Sequence, residues 1–238
     1  MKPLVEELSK KYGVLEPLQT KNTINGQVEE LKETITKEAD VPVILLGWSW
    51  GAWLSFITTS QYSRLVSKLV LVGAGPFEAS YAKPIMPTRL SRLSEKDRER
   101  VGEITKLLQE NWVPAGSSLF EEFGNLLSKA DSYNPIPSKE NSVETQHNIY
   151  QSVWPEAEKL RENGDLLNYG KNITCPVVVI HGDYDPHPFE GVKEPLTKVV
   201  KNTEFIFLNN CGHHPWLEKE AKEEFYKTLD RVMSPKKD

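Results

Sequence analysis

The feature that most constrains this fold is a serine between two glycines, G-W-S-W-G, at residues 47–51. The residues before it, 41–46, form an apolar run that predicts a strand buried on both faces. The residues after it have the apolar spacing of a helix. A strand, a G-x-S-x-G turn and a helix together describe a nucleophile elbow, in which the serine has unusual backbone angles. We expect Gly47 and Gly51 to leave room that a Cβ would fill.

The predicted elbow also fixes where reactive groups would lie. It places the Ser49 hydroxyl above the sheet edge, at the positive end of the following helix. The backbone amide of Trp50 would then point to where an oxyanion develops. An elbow is a backbone shape, so it does not by itself establish a working nucleophile.

Composition excludes several classes of partner. The chain has 238 residues, enough for one sizeable domain or for one domain with a large insertion. Its net charge of -5 lacks the electrostatic footprint of nucleic-acid or anionic-membrane binding, and its apolar runs are too short to span a bilayer. Cys175 and Cys211 fit neither a disulfide framework nor a zinc pattern. We therefore expect a cytoplasmic protein that binds neither nucleic acid nor membrane.

Predicted strands and helices alternate at both ends of the chain, which indicates an α/β fold with a doubly wound, mostly parallel sheet. Between residues 77 and 168 the pattern predicts helices alone, so we expect an all-helical cap, 77–168, inserted into a core of residues 1–76 and 169–238. Pro155 should kink or divide the helix predicted over 141–162. Thr23 or Asn25 would cap the helix predicted over 26–37. Strands are predicted at 12–18, 41–46, 67–72, 175–182 and 203–208.

Two polar loops follow the last two predicted strands. They read D-Y-D-P-H-P at 183–188 and C-G-H-H-P-W-L-E at 211–218. In a parallel sheet both loops emerge at the same carboxyl edge as Ser49. A carboxylate and a histidine from these loops would complete a Ser, Asp, His triad in the chain order known for such sheets. The serine would attack a carbonyl, the histidine would take its proton, and the carboxylate would orient the imidazole.

These three motifs resemble those of the α/β-hydrolase superfamily, particularly helical-cap members similar to proline iminopeptidases and small carboxylesterases. The resemblance covers the chain from about residue 13 to its end. It implies Asp185 as the acid, because the family's acid stands three residues after the strand-ending glycine, here Gly182. It implies His213 as the base, because the family's histidine directly follows a glycine, here Gly212.

The same resemblance assigns secondary roles to the other candidates. Asp183 would shape the acid loop, and His187 and His214 would be polar wall or solvent-facing residues. Glu78 is an outside candidate for the acid, since some family members place it after an earlier strand.

The chain departs from the family pattern at its front. Family members usually carry three further strands there, including a His-Gly loop whose amide is the second oxyanion donor. We therefore expect about five strands, with residues 13–18 pairing beside the elbow strand. The oxyanion hole would retain only the Trp50 amide, unless the loop 19–22 supplies another. An incomplete gene model is a further possibility, and an upstream extension in the encoding DNA would then restore the loop.

The sequence thus predicts a serine hydrolase that cleaves a small ester, thioester or amide through an acyl-enzyme on Ser49. Its partner would be a small-molecule acyl substrate, bound beside Trp48, Trp112 and Trp154, although most aromatic residues of the cap would simply pack its own core. A catalytically weak binding protein is the alternative, because of the missing oxyanion loop. We expect a monomer or homodimer without cofactor or metal, since the triad and its loops account for the histidines.

Overall fold

The sheet has four parallel strands, which lie side by side in chain order. The computed structural model describes residues 1–109, 118–137 and 147–234, and the elements below belong to these ranges. The strands are β1 (Val43–Trp48), β2 (Val66–Val72), β3 (Val177–Gly182) and β4 (Thr203–Leu208). The helices are α1 (Lys2–Leu8), α2 (Ile24–Glu38), α3 (Trp50–Gln61), α4 (Ile85–Arg92), α5 (Glu95–Gln109), α6 (Leu119–Asp131), α7 (His147–Glu162), α8 (Asp165–Asn168), α9 (Glu190–Val199) and α10 (Lys222–Met233).

Helices cover both faces of the sheet, which confirms the doubly wound α/β fold. Alternate residues of β2 point to opposite faces, so Leu69 and Leu71 pack with α2, α3 and α9. Val70 and Val72 pack with α1 and α10 on the other face. The two apolar layers hold the strands in a fixed register, because a slip of one residue would move every side chain to the wrong face.

The register brings the carboxyl ends of the strands to one edge. Trp48, the last residue of β1, lies beside Val72, the last residue of β2. Val72 in turn lies beside Ile180 in β3, and Gly182 lies beside Leu208 at the end of β4. The segments after all four strands therefore start at the same rim of the sheet.

The fifth strand predicted over residues 12–18 is wrong, because residues 13–21 form no strand. Leu15 and Leu18 are 48% and 57% exposed, and Tyr12 and Val14 pack on the apolar layer formed with α1 and α10 without pairing with β1. Pro17 also lacks the N–H that a sheet ladder requires.

Helices α4 to α8 all lie between β2 and β3, and within the described ranges this segment adds no strand to the sheet. Helix α7 runs through Pro155, so of the two predicted effects the division does not occur, and the kink stays a prediction. Buried Val153 and Ala157 on either side of the proline pack into the core. Residues 141–146 of that predicted helix lie outside the described residues. The division into core and cap stays a prediction.

Helix α2 begins where one of two predicted caps placed it. The hydroxyl oxygen of Thr23 accepts a hydrogen bond from the backbone N–H of Gly26 at 3.1 Å, so Thr23 and not Asn25 is the cap. In the described part of the chain, none of the helices has the length and apolarity needed to cross a membrane.

Candidate active site

Ser49 lies in a strained turn between β1 and α3. Its φ of 55° and ψ of -123° are unusual for a residue with a side chain. Its N–H donates to the carbonyl oxygen of Val72 at 3.1 Å, which ties the turn to the end of β2. A Cβ on Gly47 would overlap the carbonyl oxygen of Gly51 and lie 2.6 Å from Ser55 Oγ. The predicted elbow is therefore present, with Gly47 in the role expected of it.

The expectation for Gly51 is wrong. A Cβ on this residue would meet nothing within 4 Å. Gly51 lies in the first turn of α3, where its missing side chain faces open space. The close packing of the elbow thus depends on one of its two glycines.

Asp185 and His213 form a buried hydrogen-bonded pair. His213 Nδ1 donates to Asp185 Oδ2 at 2.7 Å, and both residues are more than nine-tenths buried. Because an ionised carboxylate only accepts hydrogen bonds, Nδ1 carries the proton and Nε2 keeps its lone pair. The structure thus brings together the two residues that the sequence predicted as acid and base.

The two other carboxylates considered as the acid, Asp183 and Glu78, bond groups other than His213. Asp183 accepts a hydrogen bond from the backbone N–H of Cys211 at 2.9 Å, and so joins the acid loop to the histidine loop. Glu78 accepts one from Lys198 Nζ at 3.2 Å on α9.

Burial and charge oppose each other at this pair. Burial by itself raises the pKa of Asp185, but His213, His187 and His181 together hold it well below its usual range. Burial lowers the pKa of His213, but Asp185 outweighs this effect and raises it above the ordinary value. The carboxylate therefore stays ionised, and the imidazole beside it is a stronger base than a free histidine.

The histidine loop packs directly against the elbow. Trp48 Nε1 donates to the carbonyl oxygen of His213 at 2.8 Å, and the two rings are 5.1 Å apart. Gly73 directly follows β2, has a φ of 51° and lies close to the Asp185–His213 pair. A Cβ on it would lie 3.1 Å from His213 Nδ1. Among the described residues the Ser49 hydroxyl has no hydrogen-bond partner, so it is free to meet a ligand.

The oxyanion donor predicted from the sequence begins α3. As the first residue of that helix, Trp50 has an N–H without an intrahelical acceptor. Its indole Nε1 donates to Gln27 Oε1 at 3.0 Å, which fixes the residue against α2. From the loop 19–22, the N–H of Thr20 is already donated to Glu30 at 2.8 Å and is not available as a second donor.

The aromatic residues predicted to bind substrate have different surroundings. Trp48 packs among His213, His214 and Trp216, so it supports the histidine loop. Trp154 stacks between Trp53 of the elbow helix and Tyr150, at ring distances of 6.0 and 5.7 Å. Trp112 lies outside the described residues. The substrate-binding role of all three stays a prediction.

His187 is a site residue that the sequence prediction missed, since it was expected to be a wall or solvent-facing residue. Its Nδ1 donates to Asp185 Oδ1 at 2.7 Å, and its backbone N–H donates to the same oxygen at 3.0 Å. Its side chain is only 14% exposed. A polar residue two positions after an aspartate often bonds back to it, and this spacing was the signal available in the sequence.

Glu218 was also missed. This fully buried carboxylate accepts hydrogen bonds from the backbone N–H groups of Gly212, Tyr133 and Asn134 at 3.0, 2.9 and 2.7 Å. It therefore clamps the histidine loop to the segment that follows α6. A carboxylate so far from the serine in sequence gives no local signal of this role.

A second link joins the same two segments. The backbone N–H of His213 donates to the carbonyl oxygen of Asp131, the last residue of α6, at 2.8 Å. The Asp131 carboxylate accepts two hydrogen bonds from the Arg89 guanidinium on α4, both at 2.7 Å. The position of His213 thus depends on helices between β2 and β3.

Asp185, His187 and His213 offer potential metal ligands within 4.8 Å of one another. Both imidazoles use Nδ1, the nitrogen nearest the carboxylate, as a hydrogen-bond donor to it. The hydrogen bonds therefore account for this arrangement of three side chains, and no step below requires a metal.

The fold and this rim of polar residues define an α/β hydrolase. A model of the alpha/beta hydrolase fold family matches residues 29–220, and the chain belongs to that family.

Characterised relatives are distant. The chain is 23% identical over 202 residues to a pimeloyl-[acyl-carrier protein] methyl ester esterase of Nitrosospira multiformis, covering 81% of this chain and 70% of the relative. It is 25% identical over 207 residues to a 2-hydroxy-6-oxononadienedioate/2-hydroxy-6-oxononatrienedioate hydrolase of Cupriavidus pinatubonensis, covering 87% and 66%. Among solved structures, a proline iminopeptidase of Mycobacterium smegmatis matches with a TM-score of 0.56 and 16% identity, covering 88% and 71%. The likeness in structure concerns the fold alone.

Proposed function

We propose that this α/β hydrolase is a serine hydrolase that cleaves a small ester, thioester or amide through an acyl-enzyme on Ser49. The observation that carries the proposal is the buried His213–Asp185 hydrogen bond of 2.7 Å beside a strained serine turn. Since Nδ1 of His213 is committed to the carboxylate, Nε2 is the nitrogen left to accept a proton.

In the acylation half, His213 Nε2 takes the proton of the Ser49 hydroxyl as the oxygen attacks the substrate carbonyl. The Trp50 N–H donates to the oxyanion that forms. The tetrahedral intermediate then collapses, His213 returns the proton to the leaving alcohol, thiol or amine, and the acyl group remains on Ser49. Asp185 stays ionised throughout and stabilises the imidazolium.

In the deacylation half, water replaces the leaving group. His213 takes one proton of the water, the resulting hydroxide attacks the acyl-enzyme, and the ester bond to Ser49 breaks. The proton passes back to the serine oxygen, so the free enzyme and a carboxylic acid are restored.

The relatives favour an ester as the first substrate to test. One is named as a methyl ester esterase and another as a hydrolase of a dienedioate. The name of the first relative makes a methyl ester the first compound of the panel, and the acyl chain and leaving group stay open.

The test pairs covalent labelling with turnover. A fluorophosphonate probe should label the wild-type protein and fail to label Ser49→Ala, and a panel of short esters and thioesters should show hydrolysis that Ser49→Ala abolishes. Absence of labelling at Ser49 in a folded protein would reject the proposal.

One observation favours a second candidate, a binding protein that keeps the fold with little turnover. From the loop predicted to supply a second oxyanion donor beside Trp50, the Thr20 N–H is already donated to Glu30. Loss of one such donor costs about a hundred- to a thousandfold in turnover. This candidate predicts that panel compounds raise the melting temperature without being cleaved. Hydrolysis that depends on Ser49 removes it.

A further inference from the structure

The carboxylate of Asp185 holds two imidazoles and not one. Its Oδ2 accepts from His213 Nδ1 and its Oδ1 accepts from His187 Nδ1, each at 2.7 Å. The two rings lie 4.8 Å apart on the same carboxylate. The reaction proposed above uses one of these imidazoles, and the other has no role in it.

The His187 ring is fixed from its backbone as well as from its side chain. Its N–H donates to Asp185 Oδ1 at 3.0 Å, and its carbonyl oxygen accepts from His181 Nε2 at 2.7 Å. His181 lies in β3 and is fully buried. His181 therefore ties the carbonyl end of His187 to the sheet, while both donors of His187 meet Oδ1.

His187 donates a hydrogen bond to Asp185 as a neutral imidazole, so it adds no positive charge to the site. Burial lowers the pKa of His187, the Asp185 carboxylate opposes this effect, and His213 and Arg89 reinforce it, so the ring is neutral at neutral pH. A neutral Nδ1–H donor withdraws part of the negative charge of the carboxylate without replacing His213 as its charged partner.

The surroundings of His213 are charged on several sides. Asp185 and Asp131 favour its protonated form, and Arg89 on α4 disfavours it. His214 lies against it with a ring distance of 5.4 Å, and burial with the neighbouring His213 lowers the pKa of His214 to about 3, so His214 is neutral. His187 and His181 both lie against the Asp185 carboxylate, and His187 acts on His213 through its hydrogen bond to that carboxylate.

We infer that His187 is a positioning residue of this site: it holds Oδ1 so that Oδ2 faces His213, and it limits how basic His213 becomes. This inference rests on the proposed hydrolase function for its consequence in turnover. Its consequence for the titration of His213 does not depend on activity.

The test compares side chains that keep or remove the donor. In His187→Asn the amide nitrogen stands where Nδ1 stood and can still donate to Oδ1, whereas His187→Leu is similar in shape and donates nothing. His187→Phe keeps the ring but not the donor, and it replaces the leucine variant if that variant does not fold. Thermal unfolding of each protein identifies the folded variants.

The first readout is an NMR titration of the His213 imidazole, which needs no turnover. Without the donor, negative charge concentrates on Oδ2, so His213 should titrate at higher pH in His187→Leu or His187→Phe than in the wild type. His187→Asn should titrate close to the wild type. The inference is overturned if the leucine and phenylalanine variants titrate at or below the pH of the wild type, or if the asparagine variant behaves as they do.

The second readout is the hydrolysis of the best panel ester. We expect kcat to fall about tenfold in the leucine variant with KM nearly constant, and the asparagine variant to recover most of the loss. A rise in KM with kcat unchanged would contradict a positioning role. So would an asparagine variant whose kcat is as low as that of the leucine variant. If the wild type neither labels nor turns over while the titration still shifts as expected, the hydrolase proposal fails and the role of His187 in setting the basicity of His213 stands.

Discussion

The elbow and the acid–histidine corner reach their geometry in different ways. At the elbow, Ser49 is held by backbone packing, and its hydroxyl has no hydrogen-bond partner among the described residues. The corner consists of Asp185, His213 and His187. There Asp185 accepts a hydrogen bond from each imidazole, and Asp185 and His213 are both buried. We therefore expect the elbow to be disrupted by added side-chain volume. We expect the corner to be disrupted by removal of a charged or hydrogen-bonding group.

The largest effect should follow from removing the charge at the corner. Asp185→Asn keeps the shape but cannot act as an all-acceptor group, so His213 loses its tautomer and its counter-charge. We expect kcat to fall about ten-thousandfold, measured on the best ester substrate.

Asp183→Asn is the matched control, because Asp183 lies two residues earlier in the same loop and its carboxylate bonds only the Cys211 amide among the described groups. Its kcat should fall less than about tenfold. Equal losses in the two variants would show that the loop, and not the Asp185 charge, matters.

The next effect tests the elbow by adding one methyl group. Gly47→Ala would force a Cβ into the carbonyl oxygen of Gly51, so we expect a loss of at least about 3 kcal/mol of unfolding free energy. Gly51→Ala has open space and should change the unfolding free energy by no more than about 1 kcal/mol, in the stabilising direction. Urea unfolding compares the two, and similar curves would refute this account of the turn.

A smaller effect concerns the clamp at the back of the corner. In Glu218→Gln the amide nitrogen would face a backbone N–H, so at least one of the three donors loses its acceptor. We expect a loss of about 2–3 kcal/mol in unfolding free energy. Glu220→Gln, an exposed neighbour that bonds only the Asn134 side chain among the described groups, should stay within about 0.5 kcal/mol. An unchanged unfolding free energy in Glu218→Gln would show that these hydrogen bonds are not needed to hold the histidine loop.

The smallest effect is a displacement of the pH profile. In the proposed reaction His213 acts as a base only when neutral, and Asp185 raises its pKa above 6.5 against the opposing effect of burial. Activity should therefore fall as the pH drops through a midpoint above 6.5, with about a tenfold loss per unit below it. The measurement is kcat/KM against pH, and a midpoint below 6.5 would show that burial outweighs the carboxylate.

Much of this arrangement could be read from the sequence. Apolar runs that end in glycine predicted β1 and β3, and parallel strands deliver their following loops to one rim. The sequence therefore placed Ser49, Asp185 and His213 at the same rim, where Asp185 and His213 form their hydrogen bond. The strand expected over 12–18 failed because alternation does not show whether a segment has a surface to cover, and Leu15 and Leu18 are exposed.

The contacts that complete the corner were not predictable in the same way. Glu218 bonds amides about 85 residues away along the chain, and no local pattern encodes such a pairing. Pro155 shows the converse, since a local rule against proline in helices was outweighed by packing on both sides of it.

The bond from the His213 N–H to the Asp131 carbonyl has a practical consequence for protein engineering. A minimal version trimmed to the sheet and its flanking helices would delete α6 and the residues that follow it. The His213 N–H would then lose its acceptor, and Glu218 would lose two of the three amides that donate to it. Such a shortened protein would keep all four strands and still lose contacts that hold His213 and its loop in place. Any replacement of this segment should therefore retain residues 131–134.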